Sequence, residues 1–140
     1  MVLLITQLPA TILTMKNLWK YSGYLLIGTG VIHNLVGLLM GWSTLQGMHQ
    51  AGWWNTLESA EGINFERSAI VWFLLVGFFW LAMGHLMQCW LKQIQKPLPI
   101  GLGYSFIAVG IAVAIVCPVS GAWLFIPQGL IIILSPQSSD

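Results

Sequence analysis

Charge is what this sequence has least of. Of 140 residues, five are Lys or Arg and four are Asp or Glu, so 6% are charged while 57% are hydrophobic. A soluble domain carries roughly 25% charged residues. So few charges cannot cover a globular surface, and the solvent that suits such a chain is a lipid bilayer. The net charge is +1. No basic patch exists to neutralise phosphates, which excludes a nucleic-acid partner. Cysteine is scarce too. Cys89 and Cys117 form no Cys-x-x-Cys pair, which argues against a thiol oxidoreductase. The chain has no Gly-rich phosphate loop, no nucleophile elbow and no zinc-peptidase helix motif. A catalytic role is therefore not the expected one, and neither a cofactor nor a metal is expected.

What the chain does have is long apolar runs. The stretch Trp19 to Trp42 carries no formal charge between Tyr21 and Gly41. It is long enough to cross a bilayer, which takes ~20 mostly apolar residues. A Trp closes each end and Lys16 and Lys20 precede it, the flanking pattern of a spanning helix. Gly30, Asn34, Gly37 and Gly41 share one helical face, where small residues let a second helix approach closely in lipid. Residues 1–15 read as an N-terminal tail or an upstream extension of a protein that starts at Met15. The membrane domain is read as residues 16–136.

A polar, aromatic segment follows from Ser43 to Arg67. Leu45, Met48, His49 and Trp53 keep helical spacing, which predicts a short helix on the membrane surface, then a turn around Gly62 and Asn64. Asn64 is the expected N-cap of the second span, Ser68 to about Leu91. There Gly77, Trp80, Gly84 and Met87 or Gln88 share a face. The linker with Pro97 and Pro99 leads to a third span, about Ile100 to Cys117, with Gly103, Ile107, Gly110 and Ala114 on its packing face. Pro118 ends it. A shorter fourth span runs from about Gly121 to Ser135, with Pro127 expected to kink it or free a carbonyl. The fold class is thus all-α: an integral membrane protein of four helices in an up-down bundle, with a surface helix in the first loop. Lys16, Lys20, Lys92 and Lys96 fall on one side of such a bundle. Positive-inside places both termini in the cytoplasm and the Trp-rich loop outside.

Polar residues inside spans are by default functional candidates. His33 and Asn34 sit near the middle of the first span, with Thr29 on the same helix. His33 is expected to be neutral and hydrogen-bonded, facing the second or fourth span. His85 and Gln88 lie near the cytoplasmic end of the second span. Two facing histidines could hold a haem or metal, but antiparallel spans separate His33 from His85 by ~10 Å or more along the membrane normal. Cys89 and Cys117 are expected at opposite membrane faces, too far apart for a disulfide. In the loop, Arg67 can pair with Glu58, Glu61 or Glu66. It can also rim an outer pocket floored by His33 and roofed by Trp53 and Trp54.

Three segments also carry a resemblance: TGVIHNLVGLL, RSAIVWFLLVGFFWLAMGHL and PVSGAWLFIPQGLIIIL. Together they resemble a bacterial family of small four-span membrane proteins catalogued as a domain of unknown function, over about Lys16 to Leu134. The resemblance implies one four-helix domain in a bacterial inner membrane and supports Met15 as the start. It implies no activity. The function expected from the residues is a binding or accessory membrane protein. It would take a small apolar or amphipathic molecule in an outward-facing cleft lined by His33, Asn34, Trp53, Trp54, Arg67 and Trp72. One alternative is a small dimeric multispan transporter, against which stands the absence of Asp or Glu within a span. Another is a haem-carrying redox or structural subunit of a membrane complex. The expected partners are the lipid bilayer and either a second copy of the chain or a membrane-complex subunit.

Overall fold

The computed structural model describes residues 17–59 and 62–136. The N-terminal tail, Lys16 and Glu61 lie outside the described residues. A 3-10 turn at Leu18–Tyr21 leads into α1, Ser22–Met40, and α2, Trp42–Gln50, follows with only Gly41 between. Two short strands, β1 at Glu58–Ser59 and β2 at Gly62–Ile63, pair antiparallel. Then come α3 at Phe65–Ile94, α4 at Ile100–Val116, a 3-10 turn at Gly121–Leu124 and α5 at Phe125–Ile133. The chain is mostly helical. Two stretches are long and apolar enough to cross a membrane, Leu18–Met40 with 23 residues and Phe65–Ile94 with 30. Two further apolar helices, Ile100–Val116 and Gly121–Ile133, are shorter.

Local chemistry sets most of these boundaries. Asn64 Oδ1 accepts from the Arg67 backbone N–H at 3.0 Å, satisfying an orphan donor in the first turn of α3. Pro99 stands at the cap before α4, and Pro118 follows its end at Cys117. Pro127 is the third residue of α5, directly after the 3-10 turn at Gly121–Leu124, close to a helix start where a missing N–H is tolerated. The hairpin of β1 and β2 was not anticipated. Two residues per strand are too few to show an alternating pattern, although Gly62, with φ +116, marks the bend.

The described residues form two compact units, Ile27–Ala82 on the one hand, and 17–26 with 83–136 on the other. Within Ile27–Ala82, α1 and α3 run antiparallel along the small-residue stripe. Gly30 meets Gly77 and Leu81, Gly37 meets Phe73 and Leu74, and Gly41 meets Ile70. A Cβ on Gly37 would come within 2.7 Å of the Phe73 ring, so the approach needs glycine. In the other unit α4 and α5 pack as an antiparallel pair. Gly103 and Gly129 face each other and Phe106 meets Phe125 edge-on at 5.4 Å. There too Gly23 lies against Gly84 and Gln88, whose Nε2 donates to the Lys20 carbonyl at 3.0 Å. The outward faces of the helices are apolar: Leu39, Phe65 and Val116 are 80%, 81% and 86% exposed.

Candidate functional site

The unit Ile27–Ala82 contains an open cleft of about 670 Å³ with almost wholly apolar walls. Leu38 of α1 and Trp42, Leu45, Gln46 and His49 of α2 line it. Val71, Leu74, Leu75 and Phe78 of α3 form the opposing wall, and Trp53 closes one side. Helical spacing puts Trp42, Leu45, Gln46 and His49 on one face of α2. That helix begins where Gly41, at φ −92 and ψ 8, departs from the helical path of α1.

The end of α2 positions Trp53. The Trp53 N–H donates to the Met48 carbonyl and the Gly52 N–H to that of His49, each at 3.0 Å, while Gly52 adopts φ +82. This is a Schellman cap, with glycine at the left-handed position that L side chains avoid. Trp53 then continues at φ +65, a sparsely populated conformation for a residue with a side chain. Its indole Nε1–H donates to His49 Nδ1 at 3.1 Å. Two polar groups, Gln46 and His49, thus sit in an otherwise apolar lining. The helical spacing from Leu45 to His49 does not continue to Trp53, because the helix ends at Gln50 and the glycine cap at Gly52 turns Trp53 out of it.

His33 lies elsewhere in the same unit, clamped between α1 and α3. Its Nε2 is 2.9 Å from the Phe73 carbonyl oxygen. A carbonyl can only accept, so Nε2 carries the proton. The imidazole stacks on the Phe73 ring at 3.8 Å between centroids and 10° between planes, and meets Trp80 at 4.5 Å. The partner is therefore a carbonyl of α3, in the second expected span, rather than one freed by Pro127. Asn34 is buried against Gly77, where a side chain on residue 77 would collide with its amide. Its Oδ1 is buried without a hydrogen-bond partner among the described residues. Thr29 is buried on the same helix.

Of the residues singled out in the sequence, the cleft lining includes Trp53 and does not include His33, Asn34, Trp54, Arg67 or Trp72. Trp54 and Trp72 are 91% and 62% exposed. Arg67 Nη1 donates to the Thr56 carbonyl at 3.0 Å, while Glu66 Oε1 accepts from the Thr44 hydroxyl at 2.6 Å. Those contacts tie the start of α3 to α2 and the loop. In the other unit, Gln88 is buried, and the exposed His85 has its Nε2 3.5 Å from Cys89 Sγ. Both cysteines are free. Among the described residues no group of three His, Cys, Asp or Glu side chains could hold a metal ion.

The class defined by these features is a mostly helical chain with two helices long and apolar enough to cross a membrane. The chain belongs to DUF6463, a family of unknown function, whose model matches residues 17–139. No curated protein and no solved structure matches it.

Proposed function

We propose that this is an integral membrane protein of four spans that binds a small apolar or amphipathic molecule in the cleft beside α2. The carrying observation is the cleft itself. Its volume of about 670 Å³ falls within the range of roughly 300–1,000 Å³ common for ligand sites, and its lining has the usual makeup of apolar and aromatic walls with a few polar groups. Lipid as solvent accounts for the large apolar side chains exposed along α1, α3 and α4. The lysine distribution supports both termini in the cytoplasm, which turns α2 and the cleft to the opposite face. At that depth Trp42, Trp53 and Trp54 suit the headgroup layer, and the ligand enters from the outer leaflet or from outside.

Native mass spectrometry of gently extracted protein tests this reading, because it reports bound mass and oligomeric state together. The expected result is a small co-purifying mass that disappears when Leu45→Trp fills the cleft. A wild-type protein without bound mass, and with no added affinity for apolar probes over lipid alone, would refute the binding role. The same spectra show whether a second copy or another subunit accompanies the chain.

A further inference from the structure

We infer that the cleft selects a neutral, apolar molecule carrying a carbonyl oxygen, and that His49 donates the hydrogen bond that selects it. This rests on the binding role proposed above and names its chemistry. An indole N–H can only donate, so the 3.1 Å contact from Trp53 Nε1 fixes His49 Nδ1 as the acceptor. The hydrogen of the neutral ring is then on Nε2. Among the described residues Nε2 of His49 has no hydrogen-bond partner. The ring thus presents a donor, and no acceptor, to a cleft whose other lining residues except Gln46 are apolar or Trp. His49 is exposed, so solvent serves Nε2–H until a ligand covers the ring, and a ligand that covers it keeps the donor satisfied only by bringing an acceptor oxygen.

The charge around the cleft narrows the acceptor. No Lys, Arg, Asp or Glu lines it. The nearby charged groups of α3 reach a different face of α2: Glu66 is held by Thr44, and Arg67 Nη2 lies 3.8 Å from the Cβ position of Gly47. A carboxylate or phosphate in the cleft would find no countercharge, whereas a ketone, ester or quinone oxygen needs none. The strained backbone of Trp53 fits the same assignment. A left-handed tryptophan persists only where its surroundings hold it, and the bond to His49 is one of the contacts that do so.

The test uses the full chain in lipid nanodiscs, with empty discs as the reference. Two probes of one shape are compared by equilibrium dialysis, 2,3-dimethyl-1,4-naphthoquinone and 2,3-dimethylnaphthalene. Both ring positions beside the carbonyls are blocked, so Cys89 and Cys117 cannot add to the quinone. The expected result is retention of the quinone about fivefold tighter than the hydrocarbon, the effect of one hydrogen bond, with the difference abolished in His49→Phe. Equal retention of both probes by the wild type overturns the carbonyl selection while leaving an apolar-binding cleft. Retention of neither overturns that cleft and this inference with it. A preference that survives His49→Phe overturns the role of His49. Where that variant loses helicity, Trp53→Phe replaces it. It keeps the wall and removes the donor that fixes the tautomer, and it is expected to halve the preference; an unchanged preference overturns the argument.

Discussion

Replacing His33 separates two contributions that the structure superimposes on one ring. The first is the hydrogen bond from Nε2–H to the Phe73 carbonyl at 2.9 Å. A bond of this kind contributes about 1 kcal/mol net. The cost of losing it stays near that figure, because the Phe73 carbonyl also belongs to the backbone ladder of α3 and is not orphaned. The second is the stack on Phe73 with the tilted contact to Trp80. An aromatic pair adds about 0.5–1.5 kcal/mol beyond its buried area. His33→Phe keeps a ring and loses the donor, and should cost about 1 kcal/mol. His33→Gln keeps an amide donor and loses the ring, at a similar cost of about 1 kcal/mol. His33→Leu loses both and should cost about 2 kcal/mol while inserting at least as readily. Unfolding by SDS in mixed micelles, followed by circular dichroism, measures the series. A His33→Leu protein as stable as the wild type would refute the reasoning.

Three further outcomes follow from the packing and the cap. Gly129→Ala should destabilise by about 1–2 kcal/mol, since its Cβ would lie 2.6 Å from the Gly103 backbone oxygen, whereas Gly28→Ala, which meets nothing within 4 Å, should be neutral or gain up to about 1 kcal/mol from helix propensity. The same micelle titration ranks the two variants, and a reversed order would contradict the packing. A reporter fused after Pro136 should be cytoplasmic and a tag inserted beside Gly62 should be reached from outside. A C-terminus found outside would mean three spans or a re-entrant fourth segment. Trp53→Gly should raise stability by up to about 1 kcal/mol by relieving the left-handed backbone at φ +65, yet lose retention of the naphthalene probes in the dialysis assay.

The helices were legible because long apolar runs are a strong signal by themselves. The packing face was legible for a related reason. Small residues that recur every three or four positions let two helices approach closely, and Gly30, Asn34, Gly37 and Gly41 do lie against α3. The N-cap at Asn64 was legible from the residue type alone. The cleft was not. It exists because the chain turns at Gly41 and starts a separate helix, and a glycine at that point reads equally well as one more member of the packing stripe. The partners of His33 were legible only in part. Its depth and neighbours predicted a hydrogen bond to a facing helix, but which carbonyl accepts depends on the register of α1 against α3. Trp53 was legible as a lining residue, while its left-handed backbone, an uncommon state for any tryptophan, has no sequence signal.

Packing and cleft share a residue, and that residue tests whether they are coupled. The small-residue stripe uses Gly30, Asn34, Gly37 and Gly41 against Ile70, Phe73, Gly77 and Leu81. None of these lines the cleft. Leu74 belongs to both: its Cδ2 lies 2.9 Å from where a Cβ on Gly37 would be, and it forms part of the cleft wall. Leu74→Ala therefore removes a contact from the stripe and enlarges the cleft at once. Leu74 is only partly buried, so the loss should sit at the low end of the range for such truncations, about 2 kcal/mol. If the new space joins the cleft, an apolar ligand can fill it. The variant should then retain 2,3-dimethylnaphthalene more tightly than the wild type does, and at about 100 times its dissociation constant the probe stabilises the folded variant by about 2.7 kcal/mol, enough to offset the loss. Stability and retention are read on the same nanodisc preparation, by thermal denaturation and dialysis. A Leu74→Ala protein that is destabilised and retains the probe no more tightly than the wild type would show that the void is sealed between α1 and α3. Leu74 would then belong to the helix contact alone, and the cleft would end at Val71, Leu75 and Phe78.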